Sequence, residues 1–233
     1  MANNGEPLLT REIFSRYNES KGDTVGSREF TILTQRQEQV LLGTLLGDGF
    51  LEQNGRNVRL KIDHGAKQKA YVFWLYEEFK TIAQQPYQLL FQDKRNDKIY
   101  EHWRFATYSL PLLNPWRQLF YQNGRKIISS KIFELFSPLS LAVWYMDDGF
   151  RRTDCKGLYL CTSAYSMEEQ YLLQKYLKKR FHIQTKLHFA AKQVRIYVPS
   201  SQVDMFCTIV KPFILPSFKY KLFDPVTTDS LAN

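Results

Sequence analysis

The chain has 233 residues, 44% hydrophobic and 24% charged, which supplies the apolar material for a folded core and excludes an intrinsically disordered chain. No run approaches the roughly 18 uncharged apolar residues of a membrane span, so no membrane partner is expected. Met1 to Pro7 is polar with no apolar stretch ahead of a cleavage site, which predicts an intracellular address. Lys and Arg outnumber Asp and Glu 32 to 23, a net charge of +9 that favours a polyanionic partner, while Cys155, Cys161 and Cys207 make neither a disulfide framework nor a CxxC zinc pair and read as inert packing.

Residues 1–33 carry Gly22, Asp23, Gly26 and Ser27 and read as a loop-rich extension. Thr34 with Gln37 then forms a capping box ahead of an apolar run that ends in Gly47-Asp48-Gly49, which predicts a helix. A hairpin around Asn54-Gly55 follows, with Val58, Leu60 and Ile62 alternating against Asn57, Arg59 and Lys61, the period of a strand with one buried face. Next comes an amphipathic helix, about Lys67 to Ala83, with Val72, Leu75, Tyr76, Phe79 and Ile82 inward. A second hairpin spans about Tyr87 to Tyr108; Ile99, Trp103 and Phe105 are expected inward, Tyr100, His102 and Arg104 outward, and Lys94 and Arg95 in its turn. A further helix closes the series.

The same order then recurs. Ser137 and Pro138 supply an N-cap and a first-turn proline for a second apolar helix ending in Asp147-Asp148-Gly149. Leu158, Leu160 and Thr162 alternate after a turn, and Ser166 with Glu169 caps a helix from about Met167 to Phe181 with Leu172, Leu173, Tyr176 and Leu177 inward. A hairpin from about Thr185 to Val198 is expected to bury Leu187, Phe189, Val194, Ile196 and Val198, and another helix follows. The chain therefore reads as an α+β protein of two αββαββα repeats, residues 34–133 and 134–226, with a tail at 227–233.

Asp48 and Asp148 each lie just past an apolar helix, where the helix already carries partial negative charge. One Asp-Gly merely ends a helix with a turn. Two at matching places in a duplicated unit suggest repeats packed through these helices about a pseudo-twofold axis, with Gly43 and Gly47 permitting close approach. Adjacent carboxylates repel unless a cation lies between them, and hard oxygen ligands suit Mg²⁺.

The second motif, Leu141-Ala142-Val143-Trp144-Tyr145-Met146-Asp147-Asp148-Gly149, resembles the signature of the LAGLIDADG homing endonucleases of the single-chain, pseudosymmetric, intron-encoded kind, over about residues 34 to 226. The first motif is looser, with Gly47 for the consensus Ala and Leu46 for its first Asp. The resemblance implies a saddle of antiparallel sheets and a monomer that cuts double-stranded DNA with Mg²⁺ or Mn²⁺ to leave short 3′ overhangs. It makes Asp48 and Asp148 the metal-binding acids, with Gly47 and Asp147 contributing backbone carbonyls. Lys126 and Lys221 would polarise water, with Arg125 an alternative to Lys126.

On that resemblance the outward strand faces would lie along the major groove, which admits a β-ribbon. The residues so implied are Asn57, Arg59, Lys61, Tyr100, His102 and Arg104 in the first repeat, and Lys186, His188, Arg195 and Tyr197 in the second. Lys94, Arg95, Arg151 and Arg152 join them. The alternatives are an RNA maturase acting on intron RNA and a DNA-binding module that does not cut. The host compartment, an organelle or a bacterial cytoplasm, stays open. Asp63, Glu78 and Lys80 mimic a PD-(D/E)xK spacing but lack its strand context, and His64, His102, His182 and His188 form no HNH pattern, so these histidines are read as packing or DNA-facing residues.

Overall fold

The computed structural model describes residues 32–93, 95, 97–190 and 193–223; Lys94, nearly all of the N-terminal extension and the 227–233 tail lie outside the described residues. Helix α1 (Gln35–Leu46) opens at Thr34, whose hydroxyl accepts from the Gln37 amide at 3.2 Å while the Gln37 side chain accepts from the Thr34 amide at 2.9 Å. Strands β1 (Phe50–Asn54) and β2 (Asn57–Gly65) form the expected hairpin, its two-residue loop opened by Gly55 at φ +64. A single 3₁₀ turn (Ala66–Gln68) then leads into α2 (Lys69–Phe79), shorter than its apolar periodicity suggested. Strands β3 (Tyr87–Asp93) and β4 (Lys98–Ala106), helix α3 (Asn114–Phe120) and the two-residue strands β5 (Tyr121–Gln122) and β6 (Arg125–Lys126) complete the first half.

The second half repeats the plan with α4 (Pro138–Asp148), β7 (Gly149–Arg151), β8 (Leu158–Cys161), α5 (Met167–Phe181), β9 (Lys186–Ala190), β10 (Gln193–Val198) and α6 (Ser200–Val210). The expected capping box at Ser166 with Glu169 is formed, and Ser137, expected only as an N-cap, closes a further box with Ser140. The two open antiparallel sheets have the same strand order, β1-β2-β4-β3 and β7-β8-β10-β9. Register fixes the correspondence between them. Phe50 pairs with Lys61 and Phe150 with Tyr159, so Lys61 matches Tyr159 and, three residues on, His64 matches Thr162.

The halves join where α1 crosses α4. A Cβ on Gly43 would lie 2.5 Å from the Ser140 carbonyl oxygen, and one on Gly47 would lie 2.5 Å from Asp147 Cβ, so the close approach depends on the absence of a side chain. One continuous core runs through both halves, with Leu41, Leu42, Leu45, Trp144 and Tyr145 fully buried at the seam. The Tyr165 hydroxyl donates across it to the Leu46 carbonyl at 2.9 Å, meeting one acceptor that the end of α1 leaves open.

Inward alternation fails at the hairpin tips. Ile99 is 67% exposed and Phe189 70%, not buried as their strand parity suggested, because the distal strand ends extend beyond the helices that cover the sheets. No helix among the described residues is long and apolar enough to cross a membrane.

Candidate active site

The seam brings the motif ends together. The Asp48 amide donates to Asp147 Oδ2 at 3.3 Å, linking the two halves directly. The Asp147 carboxyl is wholly enclosed, at 0% exposure, whereas that of Asp48 is 49% exposed and opens to the surface. Burial first, and then the charge of Asp48, raise the Asp148 carboxyl to about 7, with Lys126 and Lys221 pulling the other way. The same two causes push Asp147 well above the usual carboxylate range.

Each motif end holds one ammonium, half-buried at Lys126 and buried at Lys221. Lys126, on β6, donates to the carbonyls of Gly47 and Gly49, both at 2.8 Å. Lys221, closing the 3₁₀ segment Pro216–Lys221, donates to the Met146 carbonyl at 2.6 Å, with Asp147 O at 3.5 Å. Burial lowers the pKa of both, and the surrounding aspartates oppose that. The carbonyls they meet cluster at the ends of the two motif helices, where helical pairing runs out. Arg125, the alternative to Lys126, turns away, its guanidinium bonded to Glu169 Oε2 at 2.9 Å.

Two residues at this point were not identified from sequence. His64, its side chain 3% exposed, sets Nδ1 3.7 Å from Asp48 Oδ2 and Nε2 3.9 Å from Asp147 Oδ1. The fully buried Tyr71 lies beside them, its hydroxyl 3.5 Å from the Val143 carbonyl of the other half and its ring 5.2 Å from the imidazole. The signal for His64 was available: extending the inward series Val58, Leu60, Ile62 by one step lands on it, and a polar residue there needs a partner. Nothing local marks Tyr71, because its partner belongs to the other half. The PD-(D/E)xK imitation does not assemble. Asp63 pairs with Arg104, Glu78 with Arg36 and Lys80 with Glu77.

The outward sheet faces differ in chemistry. On the first, Glu52 pairs with Arg59 at 2.5 Å and Lys61 at 3.1 Å, and Asp63 holds both Arg104 and, at 2.8 Å, His102 Nδ1. Asn57 Oδ1 accepts from Asn114 Nδ2 at 3.1 Å, Tyr100 is exposed, and Arg95 pairs with Asp93 in the turn at 3.0 Å. On the second face Arg152 pairs with Asp154 and donates to the Tyr159 hydroxyl at 3.0 Å. That hydroxyl lies 2.9 Å from His188 Nδ1, and the His188 ring stacks on Tyr197 at 4.1 Å. The Arg195 guanidinium lies 5.5 Å from the Phe150 ring centre, and Lys186 is exposed. Arg151 is occupied elsewhere, donating to the Leu222 carbonyl at 3.0 Å.

Comparison with known proteins agrees with this geometry. Residues 38–206 match the model of the LAGLIDADG DNA endonuclease family. The chain is 30% identical over 210 residues to DNA endonuclease I-ChuI of Chlamydomonas applanata, covering 82% of this chain and 96% of that one. It is also 30% identical over 200 residues to the cytochrome b mRNA maturase bI2 of Debaryomyces hansenii, covering 82% and 74%. Among solved structures, the homing endonuclease I-WcaI bound to its DNA recognition sequence is similar at a TM-score of 0.78 and 26% identity, covering 90% of this chain and 98% of that one.

Proposed function

This chain belongs to the LAGLIDADG DNA endonuclease family, and we propose that it is a monomeric homing endonuclease that cuts both strands of a specific duplex DNA site to leave short 3′ overhangs. The observation that carries this reading is the meeting of two motif ends across one seam, each bearing an aspartate and a lysine bonded to the motif carbonyls.

The residues fit a hard divalent ion. Asp147 Oδ1 is buried with no hydrogen-bond partner, and burial, followed by the charge of Asp48, raises the Asp148 carboxyl even with Lys126 and Lys221 nearby. Asp48 and Asp148 would hold Mg²⁺ or Mn²⁺, with the Gly47 and Asp147 carbonyls beside them. When bound, such an ion neutralises phosphate charge and acidifies a water.

The remaining work falls to the chain itself. Lys126 and Lys221 bring positive charge to the place where the scissile phosphate would gain negative charge, and they order water against the motif carbonyls. Asn57, Arg59, Lys61, His102 and Arg104 on one sheet, and Arg152, His188, Arg195 and Tyr197 on the other, form the surface that lies along the groove. Arg95 and Tyr100 stand at or near the tip of the first hairpin and Lys186 at the base of the second, opposite Tyr197, and they join that surface. Arg151 supports the C-terminal segment that carries Lys221. A second reading, action on intron RNA, is supported by the maturase relative.

The test is cleavage of duplex DNA carrying the joined sequence that flanks the gene. With Mg²⁺ the protein should cut it, while Asp48→Asn and Asp148→Asn should bind it and lose cleavage by at least about 10³-fold. Undiminished cutting by both variants would remove these acids from the mechanism. RNA splicing assistance without any DNA breakage would favour the second reading.

A further inference from the structure

We propose that His64 and the Asp147 carboxylate, together with Asp48, form a divalent-metal centre peculiar to the first half of the molecule, one that takes an imidazole nitrogen and so prefers transition ions such as Mn²⁺ to Mg²⁺. The proposal deepens the nuclease reading, on which its relevance to cleavage rests.

One ligand atom from each of the three residues lies within 4.8 Å of the others, a spacing that a single ion can draw together. The group is not merely a cluster of acids at a surface. His64 is 3% exposed and Asp147 is fully enclosed, yet Asp147 Oδ1 has no hydrogen-bond partner and faces the imidazole at 3.9 Å. A native interior rarely leaves a carboxylate oxygen unmet, and a cation between these groups meets it. The other contacts around the group hold it in place. Asp147 Oδ2 accepts from the Asp48 amide, and the Tyr71 ring packs 5.2 Å from the imidazole.

The second half has no equivalent at the matching positions. Strand register matches His64 with Thr162, a fully buried residue whose hydroxyl already donates to Gln170 Oε1 at 2.9 Å. Motif alignment matches Asp147 with Gly47, which has no side chain to offer. The two motif ends therefore differ in their ligands although the folds around them agree. Imidazole is a borderline ligand that binds Mn²⁺ and later first-row ions more readily than Mg²⁺, whose sites are built of oxygen.

Pulsed electron paramagnetic resonance of the full chain with stoichiometric Mn²⁺ tests this without reference to cleavage. A histidine ¹⁴N coupling to the ion is expected, replaced by a ¹⁵N coupling when the wild-type chain carries ¹⁵N-histidine, and lost in His64→Gln. Asp147→Asn should weaken Mn²⁺ binding by at least about tenfold. Absence of nitrogen coupling in the wild-type chain, or its persistence in His64→Gln, overturns the proposal; the labelled wild-type measurement decides even if a variant fails to fold. Should Asp148→Asn abolish DNA cleavage while no nitrogen coupling appears, the nuclease reading stands and this one falls.

Discussion

A carboxyl held at about 7, as Asp148 is by burial and by Asp48, makes metal-free stability depend on pH. Its folded value lies above the ordinary 3.8, so its contribution is fully present below about 3.8 and lost as pH rises through about 7. In EDTA, Asp148→Asn should therefore raise the melting temperature at pH 8 by about 5 °C, with a gain that shrinks steadily as pH falls toward 3.8. Glu169 works in the opposite direction. Burial disfavours its carboxylate, but the Ser166 and Ile128 amides and the Arg125 guanidinium outweigh that and hold its pKa below the ordinary 4.5. Its contribution is present above that value and lost as pH falls. Because it caps α5 and ties that helix to Arg125 and Ile128 of the first half, Glu169→Ala should cost about 2 kcal/mol in urea unfolding at pH 7 and much less near pH 3.

At the level of elements, the α1–α4 seam sets the distance between the acids. A methyl group on Gly43 would lie 2.5 Å from the Ser140 carbonyl oxygen and 2.6 Å from Val143 Cβ, neither of which is the end of a flexible side chain. Gly43→Ala is expected to force the helices apart, with a loss of about 1–3 kcal/mol by denaturant titration and a fall in cleavage beyond what stability explains. The capping boxes at Thr34 and Ser166 could be read from the sequence because each is closed by bonds between residues three apart. The bounds of α2 could not: its inward series continues to Ile82, past the helix end at Phe79, and nothing local marks Ala66–Gln68 as a 3₁₀ turn. Ile99 and Phe189 were misjudged for a different reason, since alternation gives the side of a strand but not how far the covering helices extend.

Across the whole molecule, the two sheets share strand order but not charge. Glu52 and Asp63 engage the central cations of the first face, while the second is built of arginine against tyrosine, histidine and phenylalanine rings. Phosphate contacts release counterions, so DNA affinity should fall on the order of 10³-fold between 50 and 200 mM salt. Glu52→Gln frees Arg59 and Lys61 together, and should strengthen binding to unrelated DNA and steepen its salt dependence by roughly one to two counterions. Fluorescence anisotropy across a salt series measures both; an unchanged slope would mean that those cations do not meet phosphate.

The sequence by itself determined the duplicated order of elements, the two motif helices, their acids and the inward face of most strands. All of these follow from bonds and periodicities spanning a few residues. Only the tertiary structure decided that His64 and Tyr71 stand against Asp147, that Arg125 serves Glu169 while Lys126 meets the motif carbonyls, and that Arg151 serves the C-terminal segment. Those pairings join residues far apart along the chain, and the ones that span the two halves, around Asp147 and at Arg125–Glu169, exist because Gly43 and Gly47 let two helices cross closely enough to bring them within reach.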